Sequence, residues 1–153
     1  MYNVKFPGSF LLLLVLLLSC RDKHTPLITV IRNLDTHPMK NGVYVVIPNQ
    51  GCDGCISSAE VFVKTNVQSS PYIKYIFTKI QSTKMLRIKL GGDVIDDAHI
   101  LLDTTNNIVY PDSDREIYPM IVYVKNNEIT AVKYQRPGEE GLEELSRVMP
   151  VGE

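Results

Sequence analysis

The stretch Val45–Phe62, "VVIPNQGCDGCISSAEVF", decides how this chain reads. An apolar, β-branched run ends at Pro48. A short Asn-Gln-Gly loop follows, and Cys52 and Cys55 then open a segment of helical pattern. The run "VYVVIP", Val43 to Pro48, has no charge and predicts a strand buried on both faces. After it, Cys55, Ile56, Ala59, Phe62, Val63 and Val67 fall near a 3.6-residue period, with polar residues between them. That spacing predicts a helix from Cys52 to about Gln68, ended by Pro71. Two thiols at the start of a helix have a chemical use. The free N–H groups and positive dipole end there favour a thiolate over a thiol. A second thiol one turn on can attack the mixed disulfide made by the first. Cys52 is the candidate attacker and Cys55, on the apolar side, the candidate resolving thiol.

Working outward, "LITVIR", Leu27 to Arg32, is β-rich and predicts a first strand. "YIKYIFTKI", Tyr72 to Ile80, predicts another. "STKMLRIKLGG", Ser82 to Gly92, predicts a short helix capped by Ser82 and ended at Gly91. "HILLDTTNNIVY", His99 to Tyr110, predicts two short strands around a Thr-Asn-Asn turn. Tyr118 to Tyr134 is the clearest hairpin, with Asn126-Asn127 at its tip. Pro137 to Met149 predicts a C-terminal helix with Leu142, Leu145, Val148 and Met149 on its apolar face. Apolar strands alternating with helices predict an α/β sandwich around a mixed central sheet.

The N-terminus indicates the compartment. Lys5 precedes an unbroken apolar run, Phe10 to Leu18, too short to span a bilayer but fit for a signal-peptide core. It ends in "LLSC", Leu17 to Cys20, which resembles the lipobox of bacterial lipoproteins. The resemblance implies cleavage before Cys20, a lipid on its thiol, and a domain held at a membrane of the bacterial cell envelope, outside the cytoplasm. Residues 1–19 are then signal peptide, 20–26 a polar tether and 27–153 one domain. Of the three cysteines in the chain, one is spent on lipid and two remain as a local pair in a compartment that permits disulfides. With 16 Lys+Arg against 17 Asp+Glu and no basic cluster, nothing points to nucleic acid.

A Cys-x-x-Cys opening a helix behind a buried strand resembles the thioredoxin family. So does the terminal part, where "IYPMIVYVKNNEITAVKY" places Pro119 at the family's cis-proline, opening the last hairpin before the last helix. The resemblance covers about Val43 to Met149. It implies a thioredoxin-like three-layer sandwich with catalytic Cys52 and Cys55, a substrate groove at Tyr118 and Pro119, and no cofactor. It also implies exported protein thiols or disulfides as partners. The chain departs from the family in three ways. Gly51 stands where Trp is frequent, Asp53-Gly54 stands between the cysteines in place of Gly-Pro and puts a carboxylate beside the thiol, and "VYVVIP" lacks the buried carboxylate that moves protons in many members.

Other chemistry fits less well. Zinc needs two ligands beyond the thiols, and His24, His37 and His99 show no ligand spacing. "NQGCDGC" has no threonine of the peroxidase pattern. The acidic pairs Asp96-Asp97 and Asp112/Asp114 read as solvated turns. A monomeric membrane-anchored thiol-disulfide oxidoreductase is the leading reading. The alternative is a non-catalytic lipoprotein that holds an extended peptide by strand-like pairing.

Overall fold

A strand without a charge must be covered on both sides, and β1 (Gly42–Pro48) is buried from Tyr44 onward. The computed structural model describes residues 23–148. β1 pairs in parallel with β2 (Ile73–Thr78) and antiparallel with β4 (Met120–Lys125). The three-residue strand β3 (Ile100–Leu102) adds in parallel to β2, and β5 (Glu128–Arg136) pairs antiparallel with β4. The result is a mixed five-stranded sheet in the order β3-β2-β1-β4-β5. A two-residue strand, β6 (Glu139–Glu140), extends it by pairing with the last two residues of β5.

The pleat sorts side chains into two cores. Val45, Ile47, Tyr75, Phe77 and Ile121 face one way. They pack under the helices α2 (Asp53–Asn66), α3 (Thr83–Leu90), the single turn α4 (Gly92–Ile95) and α5 (Gly141–Val148). Tyr44, Val46, Ile76, Met120 and Val122 face the other way, under α1 (Thr25–Leu34). The expected α/β domain with a mixed central sheet and flanking helices is therefore present. The hairpin turn is as read: Asn126 and Asn127 take φ of 54° and 65°, the left-handed pair that a tight hairpin needs. So is α3, where the Ser82 hydroxyl accepts from the Met85 amide at 3.3 Å and the helix ends at Gly91 with φ 95°.

Three elements differ from expectation. "LITVIR" is helical, not a strand, and α1 begins two residues earlier, inside the expected tether. Pro26 fits its first turn, and Leu27 and Ile31, one turn apart, are 1% and 0% exposed. Burying each is worth roughly 1.5–3 kcal/mol, against at most about 0.7 kcal/mol of unfavourable propensity per β-branched residue. Packing therefore overrides local preference. Second, His99 to Tyr110 contains one strand rather than two. Asp103, at the end of β3, is buried and accepts from Thr78 Oγ1 at 2.8 Å and from the amides of Asn107 and Ile108 at 3.0 Å. These bonds curl the chain into a loop where a second strand was expected. Third, residues 137–140 are not helical. Pro137 and Gly138 form the turn between β5 and β6, and α5 starts at Gly141. Cys20, the signal segment and Met149 lie outside the described residues.

At the opposite end of β1, Asp35 ties α1 to the sheet. Lys74 Nζ reaches both its carboxylate oxygens at 2.8 Å, and Tyr44 Oη donates to Oδ2 at 2.8 Å. Burial raises the Asp35 carboxyl, but donation from Lys74, Tyr44 and the His37 amide together holds it below its ordinary value.

Candidate redox site

The site grows from the end of β1. The Asn49 amide donates to the Thr78 carbonyl at 2.8 Å, carrying the parallel pairing one residue past Pro48. The chain then turns sharply at Gly51, with φ 144°. A Cβ on Gly51 would sit 2.4 Å from the Ile117 carbonyl oxygen and 2.8 Å from its Cα. No side chain fits there, so a tryptophan at this position would clash with the Ile117 backbone. The close approach serves the next residue, because the Cys52 amide donates to the Ile117 carbonyl at 3.0 Å.

Cys52 is the N-cap of α2 and Asp53 its first helical residue. The Cys52 sulfur accepts from the Cys55 amide at 3.4 Å, within reach of a sulfur hydrogen bond. That donor is one of the free amides of the first turn, so it would also face a thiolate on Cys52. The two cysteines are joined as a disulfide with Cα atoms 5.3 Å apart. Cys52 is half-buried at the surface, whereas Cys55 is 7% exposed and lies on the side of α2 that carries Ile56 and Ala59 into the core. Asp53 and Gly54 are exposed between them.

An open cleft of about 300 Å³ adjoins the disulfide. Its near wall is Cys52, Gly54, Cys55 and Ser58 of the helix start; its far wall is the β5–β6 turn, from Gln135 to Glu139. Arg136 and Glu139 form an ion pair across that turn. Each shifts its partner: the guanidinium holds the Glu139 carboxyl below the ordinary carboxylate range, and the carboxylate raises Arg136. The amino-acid pattern did not single out these two residues. The "RPGE" stretch did carry a signal: Pro at the second turn position and Gly at the third mark a type II turn. Gly138 takes the required positive φ, 82°.

The Tyr118–Pro119 peptide bond is trans, which corrects the expected cis-proline; every described peptide bond is trans. Trans is the favoured form of an X-Pro bond by about 0.5–1 kcal/mol, and here the Pro119 carbonyl accepts from the Gln135 amide at 2.8 Å, in line with the hairpin. Pro119 is buried, and Tyr118 is half-buried against the apolar cluster under α1. The contact from this segment to the cysteine motif is made by the preceding carbonyl, that of Ile117.

Three buried carboxylates occur among the described residues, and each has other partners. Asp35 bonds Lys74 and Tyr44, Glu60 pairs with Lys89 at 2.8 Å, and Asp103 ties its own loop to Thr78. None belongs to β1. The acidic loops hold partners too. Asp96 takes Arg87 in two bonds of 2.7 and 2.6 Å, and Asp97 bonds the His99 ring at 2.8 Å. Among the described residues no group of three or more His, Cys, Asp or Glu could hold a metal, and no helix is long and apolar enough to cross a membrane.

Compared with models of known families, with curated proteins and with solved structures, the chain finds no match. What the fold and the site define is an α/β domain with a mixed five-stranded sheet and a Cys-x-x-Cys disulfide at the start of a helix, a pattern consistent with a redox motif.

Proposed function

We propose that the protein is a thioredoxin-like thiol-disulfide oxidoreductase, held to a membrane of the bacterial cell envelope by a lipid on Cys20 and acting on disulfides of exported proteins. The observation that carries this reading is the half-buried Cys52 at the helix N-terminus, joined to a more buried Cys55 whose amide faces its sulfur. The connectivity supports it: a parallel β1–α2–β2 unit is followed by the β4–β5 hairpin and a terminal helix. The "LLSC" stretch supports the anchor.

In this reading the reduced Cys52 thiolate attacks one sulfur of a substrate disulfide. The substrate S–S bond breaks and its second sulfur leaves as a thiolate, taking a proton from water. A mixed disulfide joins Cys52 to the substrate. Cys55 loses its proton to cleft water and attacks the Cys52 sulfur, so the substrate leaves with its second thiol. The substrate has gained two electrons, the protein has lost two, and the Cys52–Cys55 disulfide is restored. An external dithiol must reduce it again. The helix start from Cys52 to Ser58 forms one bank of the substrate cleft, and the β5–β6 turn from Gln135 to Glu139 forms the other.

The test is catalysis of protein-disulfide reduction by dithiothreitol. The full-length protein in detergent accelerates it, and Cys52→Ser abolishes the acceleration. An unaccelerated reaction with the wild type would overturn the enzymatic reading and favour a peptide-binding lipoprotein.

A further inference from the structure

Resting on Cys52 as the attacking thiol, we propose that Arg136 is the cationic partner of the Cys52 thiolate and that Glu139 sets how much of that charge the thiolate receives. Arg136, Glu139 and both cysteines line the same cleft. The turn fixes this arrangement: Arg136 and Glu139 are directly paired in the β5–β6 register, so their side chains leave the same face of the ribbon. In the oxidised protein the cysteines carry no charge, and among the described residues Arg136 forms its ion pair with Glu139. Reduction puts an anion into the cleft. A guanidinium offers five donors in a planar fork and can serve two acceptors. Arg136 therefore divides its charge between a fixed carboxylate and a thiolate that exists only in one redox state.

The other charges near the motif leave this division decisive. Asp53, on the motif's own helix, is exposed and opposes thiolate formation. Lys79 and Glu116, beside Ile117, are paired with each other at 3.3 Å. Asp114 and Arg115, of opposite sign, lie close enough to Arg136 and Glu139 to act on them. The Lys79–Glu116 pair is internally neutral. Arg136 is the cation that stands against Asp53, and Glu139 attenuates it.

Two charge-neutralising substitutions should shift the Cys52 pKa in opposite directions. The measurement is the pH dependence of Cys52 alkylation, in full-length protein in detergent with Cys55→Ser so that one motif thiol reacts. A close opposite charge lowers a pKa by about 1–3 units, and salt screening at a half-exposed site reduces this. Arg136→Gln should therefore raise the Cys52 pKa by roughly half a unit to one unit, and Glu139→Gln should lower it by a similar amount. Arg136→Lys should retain most of the effect. In the two-cysteine protein, above the thiol pKa values, each unit is a tenfold change in the reduction equilibrium, about 30 mV. Loss of Arg136 makes the pair more reducing and loss of Glu139 more oxidising. Shifts in the same direction, or both below about 0.2 unit, would overturn the inference. The titration needs no turnover. Absent catalysis with opposite shifts would defeat the oxidoreductase reading alone, and normal catalysis without shifts would defeat the inference alone.

Discussion

Two glycines three residues apart should respond to alanine in opposite ways. Gly51 takes φ 144°, and its added Cβ would lie 2.4–2.9 Å from the oxygen, Cα and carbonyl carbon of Ile117. All three are backbone atoms, so no rotamer change relieves the clash. The segment must move, and the Cys52 amide then loses its 3.0 Å bond to that carbonyl. A residue forced into a sparsely populated conformation costs about 1–3 kcal/mol, and the lost hydrogen bond adds about 1 kcal/mol. The expected destabilisation is about 2–4 kcal/mol. At a typical urea slope near 2 kcal/mol/M, the unfolding midpoint of the oxidised protein falls by about 1–2 M. Gly54, in the first turn of α2, has open space around its Cβ position. Alanine there should stabilise by roughly 0.4–1 kcal/mol through helix propensity and a less flexible unfolded chain. Truncating the side chain at Ile117 should not rescue Gly51→Ala, because the clash is with backbone. A Gly51→Ala midpoint within about 0.3 M of the parent would refute the reasoning.

Three further outcomes follow, two from the same structure and one from the sequence. Lys74→Met should cost about 3–5 kcal/mol at neutral pH, because it leaves Asp35 buried without its cation. In the parent, the lowered Asp35 value means stability from this group is fully present above its unfolded value near 4 and is lost as pH falls through the folded value. Acid unfolding curves check both points, and a Lys74→Met protein as stable as the parent would contradict the first. In the reduced protein, brief iodoacetamide treatment should label Cys52 well before Cys55, which is 7% exposed; peptide mapping with predominant Cys55 label would reverse the assignment. Cys20→Ala should lose incorporation of a fatty-acid analogue, and equal labelling of variant and wild type would remove the lipid anchor from the account.

Legibility in the sequence followed the reach of the interactions. The β1 strand was readable because a charge-free run has one stable placement, and the 126–127 turn because two asparagines tolerate left-handed backbone. Ser82 and Gly91 announced the ends of α3 through local hydrogen bonding and backbone freedom. The misread segments were decided elsewhere in the fold. α1 is helical because Leu27 and Ile31 meet the sheet, which its β-branched residues do not reveal. The loop after β3 bends because Asp103 finds Thr78, 25 positions away. At the site, the cysteine pair and its order on the helix were legible from spacing. The Ile117 carbonyl and the Arg136–Glu139 wall were not, since both arrive from the far hairpin across long sequence separations.

The central claim is that Cys52–Cys55 is a working redox couple rather than a fixed staple, and its equilibrium with a defined thiol buffer tests that most directly. The full-length protein is equilibrated in buffers of stepped potential, quenched with acid, and its free motif thiols counted by alkylation. A working couple should interconvert reversibly with a midpoint between about −120 and −270 mV, the range spanned by exchange catalysts. A pair that stays oxidised below about −300 mV, where structural disulfides lie, would contradict the claim.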